Sequence, residues 1–230
     1  MVPEVVHAAI SRTVVQPFIC STGSVTVHLK GKKPSSQAPH ELGWKELSPS
    51  TWDDFVKLFK KHGGVWGGCW CMFFHVGSPW VKYTSWVKRS AKQNKEEKQA
   101  LVSQGKSHGV LAYDNREPVG WCQFGPREEL PRIDRIRNYK PLGQRAFWRI
   151  TCFFVDRDHR GRGVVKEVLR SALKAMRAHG VRLVEAYPID TSKKYRRSSL
   201  YSGSLRLFEE FGFKKVAQLS ENRVIVQKKL

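Results

Sequence analysis

Two arginines and two glycines alternate at Arg160-Gly161-Arg162-Gly163, immediately before a segment with a helical pattern. The first amides of a helix have no intrahelical acceptor and lie at the positive end of the helix dipole, so an anion placed there gains several N–H bonds at once. Glycine lets the backbone approach the anion closely, and arginine adds cationic donors. These residues predict a phosphate-binding turn; the alternative is a glycine turn that only connects two elements.

The flanking segments predict the strand and the helix that would position this turn. Residues 147–155 are mostly β-branched and aromatic, which is typical of a strand buried on both faces. Residues 164–176 carry apolar side chains on one face at helical spacing. Two nucleotide-binding patterns are excluded, because Lys166 replaces the third glycine of G-x-G-x-x-G and the chain contains no G-x-x-x-x-G-K-[ST].

The sequence VDRDHRGRGVV at 155–165 resembles the acyl-CoA-binding motif [QR]-x-x-G-x-[GA] of the GNAT acyltransferases. Arg160 matches the first position and Gly163 matches the glycine. Val165 stands where glycine or alanine is usual, and its branched side chain would narrow the site. The sequence LFEEFGF at 207–213 is similar to L-Y-E-x-x-G-F near the C-terminus of the same family.

The resemblance implies an α/β fold with a GNAT-like mixed, mostly antiparallel central sheet. Helices would flank this sheet, which would be split between the strands before and after the central helix. The patterns predict strands at 41–47, 109–113, 118–124, 147–155, 182–187, 213–218 and 223–228, and helices at 52–62, 80–105, 164–176 and 201–211. A long irregular segment at 125–143, rich in arginine, predicts a flap near the substrate mouth.

Two regions of different composition divide the chain. Residues 1–40 lack a helical apolar period and end in a linker composition, so we expect a basic, disordered N-terminal extension with at most a short strand at 25–29. An organellar transit peptide is the alternative for this region. Residues 41–230 would form the acetyltransferase domain.

The chemistry that the resemblance implies is transfer of an acetyl group from acetyl-CoA, as co-substrate, to an amine that attacks the thioester directly. The family holds the pantetheine through main-chain groups at the end of the strand before the turn, which here are Phe153, Phe154 and Val155. The pyrophosphate would be held by Arg160, Gly161, Arg162, Gly163, Val164 and Val165.

Catalytic candidates follow from the same alignment of motifs. The tyrosine that often protonates the thiolate in this family falls on Phe208, which has no proton to give. Tyr201 and Ser204 occupy the earlier Asn and Ala positions of that motif, and the phenol of Tyr201 could protonate a thiolate or could simply be a packing residue. Glu185, acting through a chain of waters, is the candidate base; it could instead face solvent or pair with an arginine.

A second group of reactive side chains lies at 65–75, where glycines and aromatic residues surround two thiols. Cys69, Cys71 and His75 could bind a metal, although C-x-C with one histidine lacks the paired spacing of a zinc site, and a Cys69–Cys71 disulfide would be strained. The segment could also be a plain core plug. The third interpretation, which the resemblance supports, is a wall of the acceptor pocket formed by Trp66, Cys69, Trp70, Cys71 and Phe73.

The charge of the chain is strongly positive, with 41 Lys and Arg against 20 Asp and Glu, a net charge of +21. Such a surface attracts polyanions, so a non-enzymatic RNA- or polyanion-binding protein, or a CoA-sensing protein, on the same fold is the alternative function. No RNA-recognition signature is present, and nucleic acid is not the favoured partner. The expected partner is a small-molecule or peptide amine acceptor.

The chain has no stretch of 18 apolar residues, so we expect no membrane span. It contains five cysteines and no secretory signal pattern. Because free thiols persist in reducing compartments, the expected location is intracellular and cytoplasmic.

Overall fold

The computed structural model describes residues 42–81, 85–136, 138–140 and 146–230. The predicted N-terminal extension, including the short strand predicted at 25–29, lies outside the described residues. Within the described part of the chain, no helix is long and apolar enough to cross a membrane.

Among the described residues, seven strands and four α-helices follow one another in the order that the sequence predicts. They are β1 Gly43–Glu46, α1 Trp52–Lys60, α2 Ala91–Ser103, β2 His108–Asp114, β3 Glu117–Pro126, β4 Trp148–Val155, α3 Val164–Ala178, β5 Leu183–Ala186, α4 Leu205–Glu210, β6 Lys214–Ser220 and β7 Arg223–Lys229. Short 3-10 helices lie between several of them, at Pro49–Thr51, Arg127–Glu129, Pro131–Arg135, Arg157–His159 and Arg197–Ser202.

The strands form one sheet in the order β1-β2-β3-β4-β5-β7-β6. Neighbouring strands are antiparallel except β4 and β5, which pair in parallel over only three positions, Trp148 with Val184, Arg149 with Glu185, and Ile150 with Ala186. β4 continues to Val155, whereas β5 ends at Ala186. The sheet therefore opens after Ile150, which confirms the predicted mixed sheet that is split between the strands before and after the central helix.

Two hydrophobic clusters cover the two faces of the sheet. Apolar residues of α3 and α4 pack with β2, β3, β4 and β7 on one face, while α1 and the 65–71 segment pack on the other. At Gly120 of β3, an added Cβ would lie 2.6 Å from Val168 Cγ2 and 2.8 Å from Val164 Cγ1. Glycine at this position therefore lets α3 lie directly on the sheet. Successive side chains of β4 alternate, so that Phe153 contacts the first cluster and Cys152 and Phe154 contact the second.

The helix predicted at 80–105 begins later, at Ala91. Ser90 is the N-cap of α2, because its side chain accepts a hydrogen bond from Gln93 N and its own N–H donates one to the side-chain oxygen of Gln93. This reciprocal capping satisfies amides that would otherwise lack an acceptor. The predicted helix start at residue 80 was therefore wrong, because the cap at Ser90 fixes the first residue of α2.

The helix predicted at 201–211 is interrupted. Residues Arg197–Ser202 form a 3-10 helix, Gly203 adopts a positive φ of 79°, and α4 begins at Leu205 with Ser204 as its N-cap. A Cβ at Gly203 would lie 2.8 Å from the ring of Phe208. Glycine is therefore required by both the backbone conformation and the close packing, and it separates Tyr201 from the helix on which the sequence analysis placed it.

Residues 137 and 141–143 of the segment predicted as an irregular flap at 125–143 lie outside the described residues. Its described part contains the two 3-10 helices Arg127–Glu129 and Pro131–Arg135. Asp134 holds them against the sheet, since its carboxylate accepts from Arg149 Nη2 at 2.5 Å and from Arg127 Nε at 3.2 Å. Arg149 is fully buried on β4. A buried guanidinium and its carboxylate partner thus anchor these two 3-10 helices.

Candidate functional site

The turn before α3 has the conformation of an anion-binding site. Gly161 and Gly163 have φ of 76° and 79°, and an added Cβ at either position would meet nothing within 4 Å. Glycine is therefore required at both positions by the left-handed backbone conformation and not by steric crowding from a neighbouring residue. Among the described residues, no acceptor contacts the amides from Gly161 to Val165. The amides at the start of the fifteen-residue helix α3 are thus free to bind an anion, as far as the described residues show.

Acidic groups next to this turn are neutralised by a lysine. Lys61 Nζ lies 2.6 Å from Asp156 Oδ2 and 3.0 Å from Asp158 Oδ2. Burial tends to raise the pKa of Asp156, but the hydrogen bonds from Lys61 and from the Asp158 amide, together with the nearby positive charge of Lys61, outweigh it and hold that pKa below its usual value. The side chains of Arg160 and Arg162 are exposed beside the free amides, and Arg160 Nε donates to Val155 O at 3.2 Å. The surroundings of the turn therefore favour an anion.

The end of β4 offers main-chain groups on one edge. Phe153, Phe154 and Val155 pair with β3 at Cys122, Trp121 and Gly120, and no described strand pairs with their other edge because β5 has ended. Their side chains pack into the core, with the ring of Phe153 5.9 Å from Phe208 and that of Phe154 5.6 Å from Phe59. This edge can bind an extended amide-containing chain by backbone hydrogen bonds.

A mainly apolar pocket of about 230 Å³ opens beside this edge. Four of the five residues predicted as acceptor-binding line it, whereas Trp70 is buried and stacks on Phe59 at 5.8 Å. Trp86 and Cys152 also line the pocket, although neither was predicted as a site residue. Side chains alternate along β4, so Cys152 points to the opposite face of the sheet from Phe153, and this signal could have identified it. The lining residues are Trp66, Cys69, Cys71, Phe73, Phe74, Trp86, Cys152 and Tyr201.

The segment that forms one wall of the pocket holds an unusual backbone. Val65, Trp66, Trp70 and Cys71 all have positive φ, between 42° and 57°. Such conformations cost free energy in residues other than glycine and need surrounding contacts to persist. Trp121 Nε1 lies 3.2 Å from Cys71 Sγ, and Gln123 Nε2 donates to Cys71 O at 2.8 Å. The segment both lines a pocket and packs in the core, and that this pocket receives the acceptor stays a prediction.

The thiols of this segment are reduced and packed against β4. Cys71 Sγ lies 3.5 Å from Cys152 Sγ, and Cys69, Cys71, Cys122 and Cys152 are all free. Burial raises the pKa of Cys71 well above its usual value. The described residues contain no group of three or more His, Cys, Asp or Glu that could hold a metal ion. His75 instead places Nδ1 2.9 Å from Glu129 O, away from the thiols.

Behind the wall, a buried lysine contacts a buried histidine. Lys98 Nζ lies 3.2 Å from His75 Nε2, and the side-chain nitrogen of Gln123 lies 3.0 Å from the same atom. Burial lowers the pKa of Lys98 to about 8, and burial together with the charge of Lys98 holds the pKa of His75 well below its usual value. A neutral imidazole that donates from Nδ1 to Glu129 O can accept these donors at Nε2.

Tyr201 is the predicted catalytic residue that faces the pocket. It lies at the end of the 3-10 helix Arg197–Ser202, half-buried, with its ring 6.2 Å from that of Phe74. No described residue hydrogen-bonds its hydroxyl. Ser204, in contrast, caps α4, because its Oγ accepts from Leu207 N at 3.3 Å. The structure therefore brings Tyr201 to the pocket and gives Ser204 a structural contact.

Glu185 does not line the pocket. It is fully buried on β5, and its carboxylate accepts hydrogen bonds from Tyr139 Oη at 2.8 Å, Tyr187 Oη at 2.5 Å and Gln227 Nε2 at 2.8 Å. The alternative of solvent exposure is wrong, and no arginine among the described residues contacts this carboxylate directly. Tyr139 and Tyr187 pack in one cluster with Phe74 and Tyr201, so Glu185 lies one layer behind the pocket lining.

Comparisons with known proteins agree with this arrangement. The sequence matches the model of the Acetyltransferase (GNAT) family over residues 77–213, more than half of the chain. Among solved structures, a mosquito arylalkylamine N-acetyltransferase-like 5b protein is 10% identical, with a TM-score of 0.50 over 82% of this chain and 100% of that one. No curated protein matches the sequence of this chain.

Two further solved structures have lower TM-scores. The PaiA N-acetyltransferase of Thermoplasma acidophilum, in complex with coenzyme A, is 15% identical, with a TM-score of 0.46 over 83% of this chain and 100% of that one. An acetyltransferase of Thermus thermophilus is 16% identical, with a TM-score of 0.45 over 84% of this chain and 100% of that one.

Proposed function

Because the chain belongs to the acetyltransferase (GNAT) family, we propose that it transfers the acetyl group of acetyl-CoA to an amine acceptor by direct attack on the thioester. The observation that carries this proposal is that the free amides at 161–165, the open edge of β4 and the apolar pocket all lie at the end of the same strand. A long phosphorylated thioester can thus span from the turn to the pocket.

Each part of the co-substrate has a matching protein group. The amides from Gly161 to Val165, with the side chains of Arg160 and Arg162, bind the pyrophosphate, because N–H groups at a helix start favour negative charge. The main chain of Phe153, Phe154 and Val155 binds the pantetheine amides. This placement leaves the thioester next to Cys152 and Tyr201, which line the pocket.

The reaction then needs a neutral amine, a polarised carbonyl and a protonated leaving group. The amine lone pair forms the new C–N bond, the C–S bond breaks, and the thiolate takes a proton. Tyr201 supplies that proton, since it lines the pocket and no described residue hydrogen-bonds its hydroxyl. Ser204 supports Tyr201 indirectly by capping α4 next to the Gly203 turn.

Glu185 has a different role from the base that the sequence suggests. Its three hydrogen bonds occupy the carboxylate, and Tyr139 and Tyr187 separate it from the pocket. We therefore assign it to positioning: it fixes the two tyrosines against which the pocket residue Phe74 packs. The amine would lose its proton to water in the pocket.

Two measurements on the full chain test the proposed function. Calorimetric titration with acetyl-CoA at low and raised salt should give binding that changes little, whereas binding of an RNA oligonucleotide should weaken steeply with salt. A thiol-release assay with a panel of amines should then give turnover. Binding of acetyl-CoA without turnover on any amine would favour the CoA-sensing alternative, and tight RNA binding without acetyl-CoA binding would favour the polyanion-binding alternative.

A further inference from the structure

A second pocket of about 570 Å³ adjoins the apolar one. The two share the side chains of Phe73, Phe74, Trp86 and Tyr201, so a ligand can extend from one into the other past the Tyr201 ring. The second pocket differs in charge, because three arginines line it: Arg132, Arg135 and Arg223.

These arginines have no carboxylate partner among the described residues. The nearest acidic residue along the chain, Asp134, lies between Arg132 and Arg135 but is bound by Arg149 Nη2 at 2.5 Å and Arg127 Nε at 3.2 Å. Its charge is thus taken up by side chains outside the pocket. Three guanidiniums facing one pocket without an acid form a site that favours an anion.

Packing holds two of these guanidiniums in place. Arg132 is half-buried, with its guanidinium carbon 4.0 Å from the ring centroid of Phe73. Arg135 lies against Gly77, where an added Cβ would come within 2.4 Å of Arg135 Nη2. A residue with a side chain at 77 would displace this guanidinium. Burial and the charge of Arg135 lower the pKa of Arg132, which shows that the two like charges are close.

Arg223 is fixed by hydrogen bonds to neutral groups. Its Nη1 donates to Tyr187 O at 2.7 Å and to Ser202 Oγ at 2.8 Å, and its guanidinium carbon lies 5.6 Å from the ring centroid of Tyr201. These acceptors carry no formal charge, so the positive charge of Arg223 is not compensated. It therefore adds to the charge of the pocket at the side of Tyr201.

We propose that the acceptor is a small amine that also carries an anionic group, a carboxylate or a phosphate, which Arg132, Arg135 and Arg223 bind. An apolar part of the acceptor lies against Phe73, Phe74 and Trp86, and the amine is presented near Tyr201, where the two pockets meet. Guanidinium groups bind both carboxylate and phosphate through paired N–H donors, so both anions fit. This inference rests on the proposed acetyl transfer and names its substrate class.

The kinetic test compares amines that differ in one charge. Thiol release is measured with phenylalanine against phenylalaninamide, and with phosphoethanolamine against ethanolamine. We expect the anionic member of at least one pair to have a kcat/KM about tenfold higher or more, as a charge-assisted hydrogen bond allows. The pair that shows the preference identifies the anion. Equal or better turnover of both neutral members would overturn the inference.

The variant test uses Arg132→Gln combined with Arg135→Gln, with Arg177→Gln as the control. Arg177 is an exposed arginine on α3, outside both pockets, so its replacement changes the net charge without touching the site. The double variant should reduce the preference for the anionic amine toward one, while the control keeps the preference. A preference that persists in the double variant would refute the role of these arginines.

A binding measurement separates this inference from the proposed function. Quenching of tryptophan fluorescence is followed on titration with phenylacetate, with inorganic phosphate and with phenethylamine, none of which requires turnover. At least one of the two anions should bind about tenfold more weakly to the double variant than to the unmodified chain or the Arg177→Gln control. If this holds but no amine is acetylated, the anion site stands and the proposed function fails. If neither anion distinguishes the proteins, the anion site fails.

Discussion

Arg149 and Glu185 face each other across the parallel pair β4–β5, and the hydroxyl of Tyr139 lies between them. Tyr139 Oη is 3.0 Å from Arg149 Nη2 and 2.8 Å from Glu185 Oε1. Both charged side chains are fully buried. The pair sits one position before Ile150, where the two strands cease to pair. Buried polar contacts therefore hold the strands together immediately below the split of the sheet.

Replacing Glu185 by Gln tests whether this carboxylate positions other groups or acts as a base. Tyr139, Tyr187 and Gln227 all donate hydrogen bonds to the carboxylate of Glu185. The side-chain amide of Gln would have to direct an N–H toward one of these donors. We therefore expect the free energy of unfolding to fall by about 1–3 kcal/mol. The pH dependence of kcat/KM should not change. Urea unfolding and a pH–rate profile measure these two quantities.

The control for Glu185→Gln is Glu221→Gln in the exposed turn before β7, which should change neither stability nor activity. A loss of activity of about a hundredfold or more with disappearance of the acidic limb of the profile would make Glu185 the base after all.

Replacing Tyr201 by Phe removes only the hydroxyl that we assign to thiolate protonation. The ring contacts with Phe74 remain, and no described residue loses a hydrogen bond, so the melting temperature should not change. We expect kcat to fall about a hundredfold, as for loss of a general acid, while acetyl-CoA binding stays the same. Tyr195→Phe, at an exposed loop position that lines neither pocket, is the control. Equal effects of the two variants would rule out a specific role for Tyr201.

Replacing Gly163 by Ala tests the left-handed turn. The added Cβ meets no neighbouring atom, so any effect comes from the positive φ of 79°, which costs a residue other than glycine about 1–2 kcal/mol. In the free protein the turn can relax, and binding must restore it, so we expect the Kd for CoA to rise about tenfold. Gly43→Ala is the control, since its Cβ would make an ordinary contact of 3.9 Å with Tyr113. Calorimetry showing the same Kd for all three proteins would contradict an anion site built from these amides.

Lys98 should make stability depend on pH in the alkaline range. Its pKa in the folded protein is about 8, below the ordinary 10.5, so between these values the unfolded chain binds more protons than the folded one. Stability contributed by this group therefore rises with pH across that window, and below about pH 8 the full cost of burying the charge is present.

The substitution Lys98→Met removes this pH-dependent contribution to stability. The stability of the variant relative to the unmodified chain should be greatest below pH 8 and should decrease steadily up to about pH 10.5. Urea unfolding at a series of pH values measures the difference, and groups that titrate in both proteins cancel. Lys92→Met, on the exposed side of the same helix, should show a difference that does not vary with pH. A constant difference for Lys98→Met would mean that the buried amine keeps an ordinary pKa.

The segments that sequence patterns predicted best are those whose conformation is determined by residues adjacent in the chain. The turn and the start of α3 are specified by glycines at positive φ and by the apolar face of one helix, both local properties. Element boundaries were predicted less well. The start of α2 depends on the Ser90–Gln93 cap, and the interruption before α4 depends on the close approach of Phe208 to Gly203. The hydrophobic periodicity of the sequence contains no information on either contact.

The site was predicted in the same uneven way. Cys69, Cys71 and Trp66 were predicted from one segment and do line a pocket, but Trp70 in the same segment turns into the core. A strand pattern showed Glu185 as a charge among apolar neighbours, yet its burial depends on Tyr139, Tyr187 and Gln227, which come from three separate parts of the chain.

By itself the sequence determined the family, the order of the elements and the glycine turn before α3, because residues adjacent in the chain carry the backbone conformation and the amphipathic pattern on which these depend. Only the tertiary structure decided which charges are free. The carboxylate of Asp134 is bound by Arg149 and Arg127. The three arginines that line the second pocket, Arg132, Arg135 and Arg223, therefore have no carboxylate partner among the described residues. Whether a charge is compensated depends on distances between side chains that are remote along the chain, and Coulomb attraction at those distances is set by the fold.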